Sequence, residues 1–300
     1  TNTHTVTFTG TLTRTTNDNA GTYSITQGIL TNANYIIDYV GADFTITKAP
    51  TDIADGNSAT YTDTIITFGD SDILLTPTSS NTADYTFTSS DSSVASITTT
   101  STNTASIRNM GVGSAEITIS QGADTNYQAK TVSYTIIVNP LSITLTPTST
   151  QSKTFGDINP TLTYETSPEL NSLLNNSSTV TFTGSLSRTT NDSSENAGTY
   201  SITIGTLTNT NYTIHFTETV DFTINQATTD IADGNSATYT DTIITFGDSD
   251  ILLTPTSSNT ADYTFTSSDS SVASITTTST NTASIRNMGV GSAEITISQG

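Results

Sequence analysis

The sequence has no cysteine, no tryptophan and few basic residues. Lys and Arg total 7 against 27 Asp and Glu, which gives a formal net charge of -20. A chain without cysteine folds independently of the redox state of its surroundings. The excess of negative charge argues against nucleic acid and anionic membrane surfaces as partners, because their phosphate groups would repel it.

Long apolar runs are also missing, so we expect no direct insertion of this segment into a membrane. Hydrophobic residues make up 32% of the chain, below the share of about 45–50% usual for globular proteins. Such a composition can fill several thin cores but not one large core. The apolar residues that are present alternate with threonine, as Val6, Phe8 and Leu12 do within residues 5–13. A period of two residues predicts half-buried β-strands rather than disorder.

The chain contains an internal repeat, the first feature to look for in any sequence. Residues 51–122 recur without a mismatch as residues 229–300. A second, diverged match relates the first 49 residues to the stretch that ends at Ala227. Two domain types therefore alternate, and we expect four segments, at residues 1–49, 50–139, 140–227 and 228–300. The first is the C-terminal part of one domain type, and the last is a truncated copy of the other.

Short proline-marked links separate these segments, Lys48-Ala49-Pro50 before the first complete domain and Val138-Asn139-Pro140 after it. Proline stiffens the chain and cannot donate to a strand ladder. Links this short predict a semi-rigid succession of independently packed domains.

One stretch has the features of a helix start. Ser167 and Pro168 suit the first two positions, and Leu170, Leu173 and Leu174 follow at helical spacing. The sequence therefore predicts one short amphipathic helix in residues 140–227, and with it a β-grasp-like arrangement. The predicted fold class is mainly all-β, with immunoglobulin-like sandwiches alternating with β-grasp-like domains that carry this helix.

Residues 50–139 resemble the group 2-like bacterial immunoglobulin-like domains. The resemblance is carried by Thr67-Phe68-Gly69-Asp70, Ser89-Ser90-Asp91-Ser92-Ser93-Val94-Ala95-Ser96-Ile97, Gly111-Val112-Gly113-Ser114-Ala115-Glu116-Ile117-Thr118 and Gln121-Gly122-Ala123-Asp124-Thr125-Asn126-Tyr127.

Residues 140–227 resemble the MBG-type domain of bacterial adhesins. Its motifs here are Lys153-Thr154-Phe155-Gly156-Asp157-Ile158-Asn159-Pro160-Thr161-Leu162-Thr163-Tyr164, Phe182-Thr183-Gly184-Ser185-Leu186-Ser187-Arg188, Ala197-Gly198-Thr199-Tyr200 and Asn211-Tyr212-Thr213-Ile214. Similar domains alternate in giant surface proteins of Bacteroidota-like bacteria, so the resemblance implies secretion and attachment to the cell surface.

No catalytic constellation can be assembled from the sequence. His4 and His215 are the only histidines, they lie in different local contexts, and neither has a nucleophile beside it. We therefore expect no enzymatic activity, no catalytic residue, no cofactor-binding residue and no metal ligand.

Calcium is the one ion left open, because acidic residues are plentiful. Asp70-Ser71-Asp72, repeated as Asp248-Ser249-Asp250, is the tightest pair, and Asp52, Asp55 and Asn57 form a looser set near a junction. Calcium needs six to eight oxygen ligands, and no spacing here matches a known calcium loop. The alternative is that these residues form turns and solvated surface.

Three other short motifs stand out in the sequence. Gly111-Val112-Gly113 has no following Lys, which argues against phosphate binding. Tyr23 and Tyr200, each in a Gly-Thr-Tyr motif, are expected to pack their rings while the hydroxyl reaches the backbone. Asp63-Thr64-Ile65, with its copy Asp241-Thr242-Ile243, resembles a short O-glycosylation acceptor of Bacteroidota.

The leading hypothesis is a structural one, a stalk or shaft of a long secreted adhesin or extracellular filament that presents a distal binding tip. One alternative is that the repeats themselves bind glycans, and another is a spacer array of a secreted hydrolase. The chain starts and stops inside domains, which suggests a window on a longer ordered object. We therefore expect a homo-oligomer in which identical chains pack side by side through polar, Thr-rich contacts.

Overall fold

The computed structural model describes residues 5–189, 195–217 and 220–300. The chain divides into two compact units, the first comprising residues 1–151, 161–190 and 199–222 and the second residues 152–160, 191–198 and 223–300. Every regular element of the described residues is a β-strand, which confirms the all-β class.

The first segment forms one antiparallel sheet of three strands in the order β1-β2-β3. Its strands are β1 (Thr13–Arg14), β2 (Gly21–Thr26) and β3 (Ala42–Ile46). The Arg14 guanidinium lies over the rings of Tyr23 and Phe44, at 5.5 and 5.1 Å from their centroids. This cation–π contact lets an arginine cover the aromatic face of the sheet while its charge stays near solvent.

The next segment is a seven-stranded immunoglobulin-like sandwich. One sheet has the order β4-β10-β9-β6 and the other the order β5-β8-β7, and β4 runs parallel to β10 while the remaining pairs are antiparallel. The strands are β4 (Thr64–Thr67), β5 (Ile73–Leu75), β6 (Tyr85–Ser89), β7 (Ala95–Ser101), β8 (Thr104–Asn109), β9 (Gly113–Gln121) and β10 (Lys130–Asn139).

The core of this sandwich follows from the alternation in the sequence. In β9, Ala115, Ile117 and Ile119 are buried while Glu116 between them is exposed. Both sheets contribute to one apolar cluster, since Ile107 of β8 joins the residues of β9 and β10. A thin core of β-branched side chains between two pleated sheets suits a chain of low overall hydrophobicity.

The MBG-type segment that follows is also built from strands. One sheet has the order β13-β11-β16; elsewhere β12 runs parallel to β17, and β14 pairs antiparallel with β15. The strands are β11 (Leu141–Pro147), β12 (Ser152–Thr154), β13 (Tyr164–Ser167), β14 (Ser187–Arg188), β15 (Gly198–Thr203), β16 (Tyr212–Phe216) and β17 (Asp221–Asn225). Ile143 and Leu145 of β11 are fully buried. The Arg188 guanidinium lies 4.5 Å from the centroid of Phe222, which repeats the contact made by Arg14.

The predicted helix at Ser167–Leu174 is wrong, and no helix occurs in the described residues. Strand β13 runs through Ser167, and Leu173 then forms an isolated antiparallel bridge with Thr179. Leu170 and Leu173 are exposed, so the leucine spacing does not mark one buried face. Tertiary pairing overrides the weak local helix signal, and the β-grasp comparison loses the helix on which it rested.

The second immunoglobulin-like copy has two sheets, β18-β21-β20 and β19-β22, around Leu253, Ala283 and Ile285. Its strands are β18 (Ile251–Leu253), β19 (Tyr263–Ser267), β20 (Ala273–Ser279), β21 (Thr282–Asn287) and β22 (Ile295–Gln299). Residues 242–245 are identical to β4 but form no strand, and residues 228–300 contain no strand equivalent to β10. The backbone of β4 is thus extended because β10 supplies its hydrogen-bond partners.

Candidate functional site: the domain junctions

The first junction holds its linker by backbone hydrogen bonds. The N–H of Ala49 donates to the carbonyl of Asn126 and the N–H of Gln128 donates to the carbonyl of Ala49, both at 2.8 Å. These bonds form a parallel bridge between Ala49 and Tyr127. The Lys48 Nζ also donates to the carbonyl of Asp124 at 2.5 Å. Lys48 and Ala49 are therefore bonded to the sandwich that follows them.

Asn126 extends this junction back to the preceding segment. Its Oδ1 accepts the N–H of Ala20 at 2.8 Å, and its Nδ2 donates to the Oδ1 of Asn19 at 2.9 Å. An asparagine side chain offers an acceptor and two donors, so one residue can tie two points of a neighbouring loop.

Asp124 organises the loop that carries Asn126. Its carboxylate accepts from the N–H and hydroxyl of Thr82 at 2.8 and 2.9 Å, and from the N–H groups of Asn126 and Tyr127 at 2.8 and 2.7 Å. These bonds, the one from the Thr82 backbone foremost, lower the pKa of Asp124 to about 2 because they stabilise the ionised form. The charged carboxylate is thus part of the junction at neutral pH.

The second junction has a single residue, Pro140, between β10 and β11. The N–H of Phe68 donates to the carbonyl of Asn139 at 2.8 Å, and the N–H of Leu141 donates to the carbonyl of Asn211 at 3.0 Å. The residues on both sides of the proline are therefore bonded into sheets, one in each domain. Proline suits this position because it restricts the backbone and removes a donor that would need a partner.

Apolar contacts reinforce the second junction. Phe68 is only 4% exposed, and its ring packs edge-on against Tyr212 with centroids 5.7 Å apart. Tyr212 in turn lies 5.4 Å from Phe182. Gly69 adopts a φ of +96°, and a Cβ added there would lie 2.8 Å from a methyl carbon of Leu174. The glycine therefore serves both the backbone conformation and the close approach of the MBG-type segment.

A buried polar pair crosses the same junction. Asn109 and Asn176 are each 1% exposed, and Asn176 Nδ2 donates to the carbonyl and Oδ1 of Asn109 at 2.8 and 2.7 Å. Asn109 Oδ1 also accepts the N–H of Gly69 at 2.9 Å, and its Nδ2 donates to the carbonyl of Asp70 at 2.8 Å. Buried amides whose hydrogen bonds are all formed favour one arrangement of the two segments, because a shift of one segment against the other would leave the amides unpaired.

The identical second copy shows what the junction adds. Phe246, the equivalent of Phe68, is 66% exposed, and Val290, the equivalent of the half-buried Val112, is 94% exposed. Nothing lies within 4 Å of a Cβ added to Gly247. Since the sequences are the same, burial of these side chains in the first copy is due to the strand and the domain that follow it.

Only one of the two histidines, His215, lies within the described residues. His4 lies outside the described residues, and His215 is exposed in β16 opposite Thr144.

The acidic residues proposed for calcium have separate partners. Asp70 accepts the N–H of Thr67 at 2.8 Å, whereas Asp72 forms an ion pair with Arg108 at 3.4 Å. Asp55 accepts the N–H groups of Asn57 and Ala59 within its own turn, at 2.9 and 2.7 Å. In the described part of the chain no three His, Cys, Asp or Glu side chains gather as metal ligands would. The described residues also contain no helix long and apolar enough to cross a membrane.

The other sequence motifs have structural surroundings. Val112 of the Gly-Val-Gly loop donates its N–H to Asn211 Oδ1 at 3.0 Å, so the loop lies in the second junction. The Tyr23 hydroxyl donates to the carbonyl of Asn19 at 2.6 Å, which confirms the predicted bond to the backbone. Thr64 is half-buried in β4, and its hydroxyl donates to the carbonyl of Thr62 at 3.1 Å.

One cleft of about 240 Å³ lies beside β4 and β5 in the first sandwich. The rings of Tyr61 and Tyr134 stack there with centroids 5.3 Å apart. The Tyr61 hydroxyl is buried and forms no hydrogen bond within the described residues. Burial raises the pKa of Tyr61 to about 12. At neutral pH the phenol is protonated, as any tyrosine is, and can donate a hydrogen bond.

The sequence did not point to Asn109, Asn176 or Asn211 as junction residues. Asn109 and Asn176 lie 67 residues apart in the chain. Both have polar neighbours, Arg108 in one case and Asn175 and Ser177 in the other, and no periodic pattern distinguishes them. For Asn211 a signal was present, because an Asn-Tyr pair occurs in both domain types, at Asn126 and at Asn211.

In its described residues the first unit is all-β, and the identical copies at residues 51–122 and 229–300 make the chain an all-β repeat protein. Residues 1–45 and 143–223 match the family model of the MBG domain (YGX type). The match confirms the predicted resemblance for these two segments, which together make up less than half of the chain. No curated protein matches the sequence.

Several solved structures of repeat proteins show a weak likeness to the chain. Domains 4 and 5 of the S-layer protein SbsC are 17% identical over 40% of this chain and 66% of that one, with a TM-score of 0.23. Invasin, a bacterial integrin-binding protein, is 12% identical over 95% of this chain and 63% of its own, with a TM-score of 0.26. A three-domain immunoglobulin fragment of titin is 10% identical over 79% and 94%, with a TM-score of 0.23. Scores this low carry no argument about function.

Proposed function

We propose that this chain is a connecting segment of a long extracellular protein of the bacterial surface, a shaft that holds a binding region away from the cell. The observation that carries the proposal is the second junction, in which strand passes to strand across Pro140 with backbone bonds on both sides. A connector needs resistance to bending rather than a reactive site, and the backbone bonds at the junctions support that role.

The contacts at the second junction contribute enough free energy to restrict movement between the two segments. Full burial of a phenylalanine such as Phe68 stabilises by about 1.5–3 kcal/mol, and each net hydrogen bond adds about 1 kcal/mol. Two domains of one chain usually move relative to each other unless the interface between them is large and hydrophobic. Here the apolar cluster of the sandwich continues to Ile143, Val180 and Tyr212 of the MBG-type segment.

Distance measurements between spin labels test this rigidity. The chain has no native cysteine, so Thr99→Cys and Thr213→Cys place labels at exposed strand positions on either side of the second junction. We expect a single narrow distance distribution. Insertion of four Gly/Ser residues between Asn139 and Pro140 is the control and should broaden it. A broad distribution without the insertion would contradict the connector function.

Glycan binding by the repeats is a second candidate, and the cleft beside Tyr61 is the observation that favours it. The free phenol donor recurs at Tyr239 in the second copy. A sugar hydroxyl could accept from such a donor, but the two stacked rings offer each other the faces that a sugar would need. Screening the chain and its Tyr61→Phe/Tyr239→Phe variant on a glycan array tests this. Binding that is lost in the variant would support the candidate, and absence of binding would remove it.

The same connector could link the domains of a secreted hydrolase whose catalytic domain lies outside this segment. This alternative differs from the adhesin shaft in the neighbouring domains and not in the role of the segment. Lateral packing of identical chains also stays a proposal. What supports it is the sequence composition, which leaves exposed strand faces rich in threonine, such as residues 98–100 of β7.

A further inference from the structure

Both junctions contain the same four-residue turn, although the domains that carry it have different folds. It reads Asp124-Thr125-Asn126-Tyr127 in the sandwich and Asn209-Thr210-Asn211-Tyr212 in the MBG-type segment. In each turn the side-chain oxygen of the first residue accepts the N–H of the third, at 2.8 Å from Asn126 and 2.9 Å from Asn211. The third residue is thereby held with its side chain free to reach outward.

That third residue contacts the preceding domain in both junctions. Asn126 Oδ1 accepts the N–H of Ala20 at 2.8 Å, and Asn211 Oδ1 accepts the N–H of Val112 at 3.0 Å. The two donors hold equivalent positions, because Ala20 directly precedes the glycine that opens β2 and Val112 directly precedes the glycine that opens β9. The same acceptor therefore meets the same kind of donor loop at both junctions.

The fourth residue of the turn contributes in a second way. Tyr127 forms the backbone bridge with Ala49 of the first linker. Tyr212 packs its ring against Phe68 across the second junction.

We propose that the Asp/Asn-x-Asn-Tyr turn is an interdomain latch, a docking element whose partner is the loop before a strand-opening glycine in the preceding domain. This inference rests on the connector function and deepens it, since it names the residues that set the orientation of successive domains. Asn126 and Asn211 are positioning residues in this scheme.

The chain contains a further copy of the turn and a further copy of the loop that the turn binds. Asn32-Ala33-Asn34-Tyr35 has the same internal bond, from the N–H of Asn34 to Asn32 Oδ1 at 2.8 Å. The Asn34 side chain is exposed and forms no hydrogen bond to the described residues. The loop Gly289-Val290-Gly291 is the sequence equivalent of the loop that Asn211 binds. The proposal assigns the turn at residues 32–35 the role that residues 209–212 have at the second junction, and the loop at residues 289–291 the role of residues 111–113. Each is suited to bind the complementary element of another domain.

Amide hydrogen exchange by NMR on the whole chain tests the latch at the donor itself. We expect Asn211→Ala to speed exchange of the Val112 N–H at least fivefold while the Ala20 N–H is unchanged. Asn126→Ala should do the reverse. Asn211→Asp keeps the acceptor and should retain protection of Val112. Asn103→Ala is the matched control, because Asn103 is exposed and its side chain forms no hydrogen bond within the described residues.

Two outcomes would overturn the latch. One is unchanged protection of Val112 in Asn211→Ala. The other is a loss of protection in Asn211→Ala that extends equally to the core amide of Ile117, which would indicate general unfolding. The spin-label distances separate this from the connector function. A narrow distribution that survives Asn211→Ala, with Val112 still protected, removes the latch but leaves the connector, whereas a broad distribution in the unmodified chain removes the connector.

Discussion

Asn109 and Asn287 are equivalent residues of the two identical copies, and comparing them measures what the second junction contributes to stability. Both end the strand before the Asn-Met-Gly-Val-Gly loop in identical copies. Asn109 bonds to Asn176 of the following domain. Among the described residues Asn287 bonds within its own copy, at 3.1–3.4 Å to Asp248, Gly247 and Thr245. The surroundings of the two asparagines therefore differ: Asn109 bonds to Asn176 and lies in a copy that contains β4 and β10, whereas residues 228–300 contain no strand equivalent to either.

The expected magnitudes follow from these contacts. Asn109→Ala removes three side-chain bonds of 2.7–2.9 Å from a residue that is 1% exposed. At about 1 kcal/mol each, with about 1 kcal/mol more for the buried partners left unpaired, the cost is about 4 kcal/mol. Asn287→Ala removes longer bonds at a site that water reaches, so about 1 kcal/mol is expected. The difference of about 3 kcal/mol corresponds to about 100-fold in an equilibrium constant.

Hydrogen exchange followed by mass spectrometry measures this difference. Thr98→Ser in the first copy, at an exposed position of β7, distinguishes by mass the peptides that cover β7 and β8 in the two otherwise identical copies. We expect Asn109→Ala to accelerate exchange of the first-copy peptide about 100-fold more than Asn287→Ala accelerates that of the second. Equal accelerations in the two copies would refute the reasoning, since the junction would then add nothing.

Four further outcomes are expected. Gly69→Ala should destabilise its copy more than Gly247→Ala, because both glycines have a positive φ but only Gly69 faces Leu174; equal shifts of the two calorimetric transitions would contradict the contact. The pKa of Asp124 is about 2 in the fold and about 3.9 in an unfolded chain. The stabilisation by the Asp124 carboxylate is therefore present above about pH 4 and lost as the pH falls toward 2. We expect Asp124→Asn to reduce the pH dependence of hydrogen exchange at the Ala20 N–H in this range, and an unchanged pH dependence would count against this role. A calcium chelator should leave the melting curve and the small-angle scattering unchanged, and a lower melting temperature would restore the calcium hypothesis. Sedimentation should show association of identical chains at high concentration, whereas a monomer throughout would argue against lateral packing.

The candidate site was only partly predictable from the sequence. The sequence predicted domain boundaries at Pro50 and Pro140, and these boundaries stay a prediction; the structure shows that the chain is held by backbone hydrogen bonds at both places. The contacts at the junctions were not predictable, because Asn109 and Asn176 lie far apart in the sequence and become neighbours only in the tertiary structure. Asn211 was visible as part of a motif, but a motif does not show which side chain leaves its own domain.

The sequence by itself determined the all-β class and the repeat of identical copies. Local alternation also gives the apolar face of a strand such as β9. The alternation in residues 5–13 did not predict a buried face, because Val6, Phe8 and Leu12 are 43–48% exposed and lie outside the strands. Only the tertiary structure decided which segments become strands at all. Residues 64–67 form β4 while the identical residues 242–245 form no strand, and Tyr212 is buried in β16 while its repeat equivalent Tyr35 is 51% exposed. The leucines at 170–174 likewise form no helix. The physical reason is that a strand's hydrogen bonds and one face of its side chains are satisfied by other strands, so the same residues take different structures when their partners differ.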